Sequence, residues 1–317
     1  MRKEKVMKKL PLTCPCKKKC PLVKVGEAYL CSEDGCVHSE AEMQFPIKNE
    51  TPVLISEKNT DTVCSMNVNA TYIKRPLVKF KKIKKILIGE SQITKRNCNR
   101  FIEELFNVAK RPKILIIGSG EKGSGTEKLW SRADIDIHGI DIHGAATVDV
   151  ICDAHYLPLL ANSYDGVWIQ AVLEHVVEPK KVVNEIYRVL KERGVVYAET
   201  PFMQQVHEGA YDFTRFTVLG HRYLFKNFEM MDIGGNGGPE VVFVWAIRYL
   251  SWAIFRSQKI ARLIGVLAGI LMRPLFFLVS EKSMHDASSG VYFLGRKNGN
   301  NTVTHKELVQ LYKGQFR

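Results

Sequence analysis

The chain has 317 residues, 45% of them hydrophobic and 25% charged, which excludes a disordered or fibrous polymer and leaves room for one large α/β domain plus a small accessory unit. Its net charge of +13 is uneven, with eight Lys/Arg against one Glu from Met1 to Cys20 and thirteen against three acidic residues from Lys74 to Lys113. Such basic runs suit a polyanion, either RNA or an anionic membrane surface, and they also suit a solvated linker. No apolar central run precedes Cys20, so no secretory leader is expected. The chain reads as cytoplasmic, with peripheral attachment at the inner membrane face as a further option. Its eight cysteines then read as thiols or metal ligands rather than disulfides.

Residues 1–58 form the first unit. Cys14-Pro-Cys16-Lys-Lys-Lys-Cys20 is followed by Tyr29-Leu-Cys31-Ser-Glu-Asp-Gly-Cys36, then by the apolar segment Phe45 to Ile55. Two close-set cysteine groups around a β-like segment point to a zinc ribbon with tetrahedral thiolate ligation. Cys31 and Cys36, with two of Cys14, Cys16 and Cys20, are the candidate ligands. A unit this small buries too little apolar surface to fold alone, so a metal would supply much of its folding energy.

Residues 59–109 are a basic connector that ends in an amphipathic helix near Asn99–Lys110. From 110 to 298 strand-like and helix-like segments alternate, the pattern of a mostly parallel sheet covered on both faces. The strands expected are Ile114–Ile117, Ile135–Ile140, Val148–Ile151, Gly166–Ala171, Val195–Glu199, Glu229–Ile233 and Val291–Gly295. Helices are expected at Gly125–Ser131, Pro179–Lys191 and Thr217–Phe228. Residues 299–317 read as a polar tail with one short helix.

The first strand runs into Gly118-Ser119-Gly120, and Asp141 closes the second. Glycines let a backbone approach a nucleotide, and a carboxylate at that distance can accept both ribose hydroxyls. Further on come Asp153-Ala154-His155-Tyr-Leu-Pro158, then Gln170-Ala-Val-Leu-Glu174-His175-Val176, then Arg188-Val-Leu-Lys-Glu-Arg-Gly194.

In combination these segments resemble the class I S-adenosylmethionine-dependent methyltransferases of the type 11 group, over about residues 110 to 235. The resemblance implies a Rossmann-like seven-stranded sheet that holds S-adenosyl-L-methionine. By it, Gly118, Ser119 and Gly120 line the methionine and ribose region, Asp141 takes the ribose hydroxyls, Asp153 with Ala154 the adenine edge, and Gln170 the methionine end. Ile116 departs from the acidic residue usual two positions before the first glycine. The amino-terminal unit resembles a Trm112-like zinc ribbon.

Methyl transfer from a sulfonium needs mainly alignment of the acceptor, and a base only where the acceptor carries a proton. Thr200 to Thr217 should overhang that acceptor, and it resembles the HexxxDfxRfT segment of a subgroup of these enzymes. His207 is the candidate base, with Asp212 and Arg215 orienting it or binding a polar acceptor. An Asp/Arg pair that only starts the next helix, with Thr217 as its cap, is the competing structural role. His175 is read as structural.

Between Val241 and Val279 every charge is basic, namely Arg248, Arg256, Lys259, Arg262 and Arg273. On one continuous helix these would share a sector of roughly 120°, which suits a bilayer interface. The same insertion, at 240–280, suits a helical cap over the acceptor. Three functions stay open: methylation of a sugar, lipid-linked glycan or other small molecule; methylation of RNA; and a non-catalytic binding scaffold.

Overall fold

The computed structural model describes residues 9–39, 44–56, 58, 62–64, 92–299 and 302–316. The polar and basic parts of the connector, 65–91, lie outside the described residues. Eleven strands form one sheet: β1 (Leu22–Val25), β2 (Ala28–Cys31), β3 (Phe45–Lys48), β4 (Thr51–Leu54), β5 (Lys113–Ile117), β6 (Asp136–Asp141), β7 (Val150–Cys152), β8 (Tyr164–Gln170), β9 (Leu190–Pro201), β10 (Phe228–Asn236) and β11 (Gly290–Lys297). Their spatial order is β1-β2-β3-β4-β7-β6-β5-β8-β9-β11-β10.

Helices α1 (Gln92–Val108), α2 (Glu127–Ser131), α3 (Pro179–Val189) and α4 (Val218–Leu224) belong to the two layers against the sheet, and α5 (Pro239–Phe255), α6 (Gln258–Met272) and α7 (Glu281–Ala287) precede β11. A last helix, α8 (His305–Gln310), opens on a capping box of Thr304 and Glu307.

The seven strands expected of the main domain are all present as β5 to β11, with boundaries shifted by up to five residues. β5, β6, β7, β8 and β9 are parallel, and β11 runs antiparallel between β9 and β10. Burial on both faces explains their unbroken apolar sequences. Ile114, Ile116, Trp168, Val195 and Tyr197 pack one face against Phe101, Ile102 and Leu105 of α1. The alternate residues Leu115, Ile117, Val167, Ile169, Val196 and Ala198 pack the other against Val182, Val183, Ile186 and Val189 of α3. This is the period-two alternation of strand side chains. α1 begins seven residues before the expected Asn99, because Thr94 and Asn97 are buried polar residues that interrupt no apolar stripe but bond inward.

The sheet count exceeds the expected seven because the amino-terminal unit joins it. β4 pairs in parallel with β7, Val53 opposite Ile151 and Leu54 opposite Cys152. Leu12 forms an isolated bridge to Leu159, and the Thr13 and Leu160 amides bond the Pro158 and Pro11 carbonyls at 2.9 Å each. Lys19 and Glu185 complete the contact as a mostly buried ion pair at 3.0 Å.

The insertion is a helical hairpin. Arg256 takes a left-handed conformation at φ 50°, and the Ser257 side chain caps α6, so the chain breaks between α5 and α6. The sector drawn for one continuous helix therefore does not apply, and the cations divide between two helices. Among the described residues no helix is long and apolar enough to cross a membrane.

Candidate active site

The carboxyl ends of β5, β6, β7, β8 and β9 face one edge of the sheet, and the loops that follow them carry most of the candidate residues. Gly118 leaves β5 at φ 77°, and a Cβ there would lie 2.2 Å from Val172 Cγ2, so only glycine fits. The Gly118 and Ser119 amides both donate to the Ile140 carbonyl, at 2.9 and 3.0 Å. The Gly120 amide donates to Asp141 Oδ2 at 2.8 Å, and the His143 amide to Asp141 Oδ1 at 2.9 Å. Each carboxylate oxygen of Asp141 keeps a further lone pair for a diol.

Gln170 ends β8 and donates to the Ser124 carbonyl at 3.3 Å, so it touches the glycine loop from the other side. Its oxygen accepts from the Trp168 indole at 3.3 Å. Beside it lies the buried carboxylate of Glu199, bonded by Thr94 at 3.0 Å, Tyr197 at 2.9 Å and Asn236. Burial raises Glu199, against the hydrogen bonds of Tyr197, Thr94, Gln170 and Asn236. Glu199 carried no sequence signal beyond its place at a strand end. Ala171 follows Gln170 at φ 53°, strain on the order of 1 kcal/mol for a residue with a Cβ.

Asp153 caps the short turn Ala154–Tyr156. Its Oδ1 accepts from the His155 amide at 2.9 Å and from His155 Nδ1 at 2.6 Å, while Thr62 donates its hydroxyl to Oδ2. Burial works to raise Asp153, but His155 and Thr62 outweigh it and hold the carboxyl below its usual range. The connector residue Thr62 thus reaches Asp153, a contact across 91 positions of sequence. No local pattern announces such a contact.

In the loops after β8 and β9 the structure brings His207, Asp212 and Arg215 together, and adds Glu174 and His175. Arg215 holds Asp212 with two guanidinium nitrogens and also bonds the Gln204 carbonyl at 3.0 Å. Burial would raise Asp212, but the Arg215 hydrogen bond and the His207 amide lower it to about 2. His207 Nδ1 lies 3.1 Å from Asp212 Oδ2, which leaves Nε2 facing Glu174 at 3.8 Å. His175 Nδ1 lies 2.7 Å from the Tyr211 carbonyl, which fixes it as a donor and turns its Nε2 to Glu174 at 3.6 Å. Burial, then the neighbouring His175, lowers His207, so its Nε2 is unprotonated at neutral pH. Thr217 caps α4 by accepting from the Gly220 amide at 3.1 Å.

Glu174 is fully buried, and neither carboxylate oxygen has a hydrogen-bond partner. Burial raises it to about 8, helped by Asp212 and Glu199 and opposed by its own backbone and Arg215. Its oxygen and the two imidazole nitrogens lie within 4.8 Å of one another, close enough to hold a cation.

In the amino-terminal unit Cys14, Cys16, Cys20, Cys31 and Cys36 are all buried and all free thiols. Cys16 and Cys20 sulfurs are 3.6 Å apart, and those of Cys14 and Cys36 3.9 Å. The edge of a zinc–thiolate tetrahedron is about 3.8 Å, given Zn–S bonds of about 2.3 Å. The donor set fits zinc. It includes His38, absent from the sequence reading, whose Nδ1 is 3.1 Å from Cys14 Sγ. His38 lies two residues after Cys36, a spacing outside ordinary ribbon patterns.

A carboxyl raised to about 8 contributes stability that is fully present below its ordinary 4.5 and lost as pH rises through 8. Denaturant midpoints should therefore fall between about pH 6 and pH 9 in the native chain and fall less in Glu174→Gln, which carries no charge at any pH. Equal losses in both would show that Glu174 is not held neutral.

The family model described as "Methyltransferase domain", type 11, matches residues 115–198. A search of curated proteins found no match. Among solved structures, one described as a sarcosine dimethylglycine methyltransferase from Galdieria sulphuraria is 17% identical, with 66% of this chain and 86% of that one covered and a TM-score of 0.44. A S-adenosylmethionine-dependent methyltransferase from Archaeoglobus fulgidus is 16% identical, covering 69% and 99%, at 0.43. The Haloferax volcanii complex of the Trm112 methyltransferase activator with a methyltransferase is 14% identical, covering 69% and 94%, at 0.41. The matched residues run from β5 into β9 and include the glycine turn, Asp141, Asp153 and Gln170.

Proposed function

We propose that the chain transfers a methyl group from S-adenosyl-L-methionine to a small or lipid-linked acceptor presented at the loop 202–217. The observation that carries this reading is the closure of the glycine turn onto Asp141, with Gln170 bonded to the same loop from the end of β8. Gly118, Ser119 and Gly120 would face the methionine and ribose, and Asp141 the ribose hydroxyls. Asp153 with Ala154 would border the adenine, and Gln170 the methionyl end. The cofactor supplies an activated methyl with its own leaving group, so the protein's task is alignment.

His207 would take the acceptor's proton on Nε2. Asp212 holds its opposite nitrogen, and Arg215 fixes Asp212 to the loop backbone. Arg215 has its guanidinium committed to Asp212 and three carbonyls, which favours orientation over acceptor binding.

The α5–α6 hairpin would both cap the acceptor and rest on an anionic membrane surface. The Tyr249 hydroxyl donates to the Val206 carbonyl at 2.7 Å, next to His207. Leu250, Ile254, Leu263 and Leu271 are 61–72% exposed, and the segment 241–279 contains five cationic and no acidic residues. Apolar exposure rimmed by cations is the composition of an interfacial helix pair. Zinc held by the cysteine cluster would staple the amino-terminal unit against the cofactor loop 153–160.

Four outcomes test the reading. Calorimetry should show S-adenosylmethionine binding that weakens about tenfold to a hundredfold in Asp141→Ala, the worth of hydrogen bonds to a charged group; a native chain that releases no heat excludes the enzyme. Cell extract incubated with labelled methyl donor should label lipid, glycan or small-molecule fractions rather than RNA. On the labelled acceptor, His207→Ala should cut kcat about 10²- to 10⁴-fold, and the native rate should fall only below about pH 6.5, the ordinary histidine value. A variant with full turnover ends the base assignment. Finally, the chain should float with vesicles containing anionic lipid and be released by salt, while Arg256→Glu with Arg262→Glu stays in solution. Flotation unaffected by either would remove the membrane role.

A further inference from the structure

Glu174 is fully buried in the turn 173–175 after β8, and among the described residues neither of its oxygens has a hydrogen-bond partner. An ionised carboxyl in such a place is costly unless a cation or donors compensate it. Two imidazole nitrogens face its Oε1, His175 Nε2 at 3.6 Å and His207 Nε2 at 3.8 Å, both beyond hydrogen-bond length. The three groups each offer a ligand atom within 4.8 Å of the other two. Donors around one ion with bonds of about 2.1 Å stand about 3.0–3.4 Å apart, so a contraction of about half an ångström brings the carboxylate onto an ion with either nitrogen.

Building on the reading of loop 202–217 as the acceptor side, we infer that Glu174, His175 and His207 bind one divalent first-row ion, zinc or manganese, whose open positions take the acceptor's oxygens. Two imidazoles and one carboxylate form the three-ligand set of ions that leave room for substrate. Each imidazole has its other nitrogen engaged, His207 Nδ1 by Asp212 at 3.1 Å and His175 Nδ1 by the Tyr211 carbonyl at 2.7 Å. Outer acceptors of this kind fix the tautomer and ring orientation of a ligating histidine and raise its basicity. Arg215 holds Asp212 with two guanidinium nitrogens and so offsets its charge, which leaves Glu174 as the negative ligand.

The spacing of the ligands is set by backbone. The Phe213 amide donates to the Glu174 carbonyl at 2.8 Å, and the Thr214 hydroxyl to the Leu173 carbonyl at 3.3 Å. These bonds stitch the loop 202–217 to the turn that carries Glu174 and His175. The His175 and His207 side chains are 22% and 27% exposed, so the ion would be reached from the histidine side. Val172, two residues before Glu174, closes on Gly118 and sets the site beside the proposed cofactor turn.

With the ion bound, the His207 Nε2 lone pair is a ligand, and His207 keeps its base role only in the chain without the ion. The cation makes a bound hydroxyl more acidic, and the proton passes to solvent water. The oxygen then takes the methyl group as its bond to the sulfonium breaks, giving a methyl ether and S-adenosylhomocysteine. An acceptor with two adjacent oxygens, such as a sugar diol, would fill two of the open positions.

Metal content of full native and variant chains tests the site. Each chain is saturated with zinc or with manganese, freed of excess ion and assayed by elemental analysis. The native chain should carry one more ion than Glu174→Gln. Equal content with both metals overturns the site and leaves His207 as the base. Should Glu174→Gln fail to fold, His175→Gln takes its place with the same two outcomes. Asp212→Asn should weaken binding of the extra ion about 10- to 100-fold in calorimetry, the effect of losing an outer partner. Unchanged affinity would show that His207 is not a ligand and overturn the three-ligand site. A chain that binds the extra ion and transfers no methyl group keeps the site and defeats the transferase reading, whereas methyl transfer without an extra ion does the reverse.

Discussion

The hydrogen bond from the Gly120 amide to Asp141 is the constraint on which the crevice depends. It draws the end of β5 against the end of β6 at 2.8 Å. That approach leaves no room for a side chain at Gly118, where Val172 closes in from the end of β8. Three parallel strands thus finish around one turn, and their registers are held by the burial of alternating side chains on both faces. A one-residue slip of β5 would turn Ile114 and Ile116 toward α3 and aim the glycine turn away from Asp141.

Charge is handled differently on the two sides of this crevice. Around the glycine turn and the loop after β7 each carboxylate is bonded by main-chain amides or side-chain donors, as with Asp141 and Asp153. In the loops after β8 and β9 Asp212 is pinned ionised by Arg215, while Glu174 lacks any such donor and is pushed toward its neutral form. Two neighbouring carboxyls are thereby separated in protonation state, an arrangement common where proton transfer is needed. His207 and His175 both present Nε2 to Glu174 because Asp212 holds the Nδ1 of the first and the Tyr211 carbonyl that of the second.

How far this was legible depends on the range of the interaction. Apolar runs ending in glycine, acid or glutamine revealed β5, β6 and β8, since burial on both faces writes itself into local composition. Thr217 as a cap was equally readable, because its bond spans three residues. The grouping of His207, Asp212 and Arg215 came through their short spacing. Glu199 and Thr62 did not, because their partners lie far away in sequence. His38 escaped for another reason: a lone histidine beside five cysteines has no spacing rule, and only the fold brings it to Cys14. The pairing of β4 with β7 was hidden too, since a four-residue strand carries no mark of its partner. The hairpin break at Arg256 was open to either reading, as a left-handed arginine leaves no compositional trace.

The pairing of β4 with β7 also decides how the small unit meets the large one. Both belong to a single chain, so their association does not depend on dilution. Tethering sets an effective concentration that two separate proteins would have to match by abundance. The added strand also shields the outer backbone groups of β7, the open flank through which parallel sheets recruit unwanted neighbours. One short stretch of polypeptide therefore serves as both a fastener and a guard against self-association.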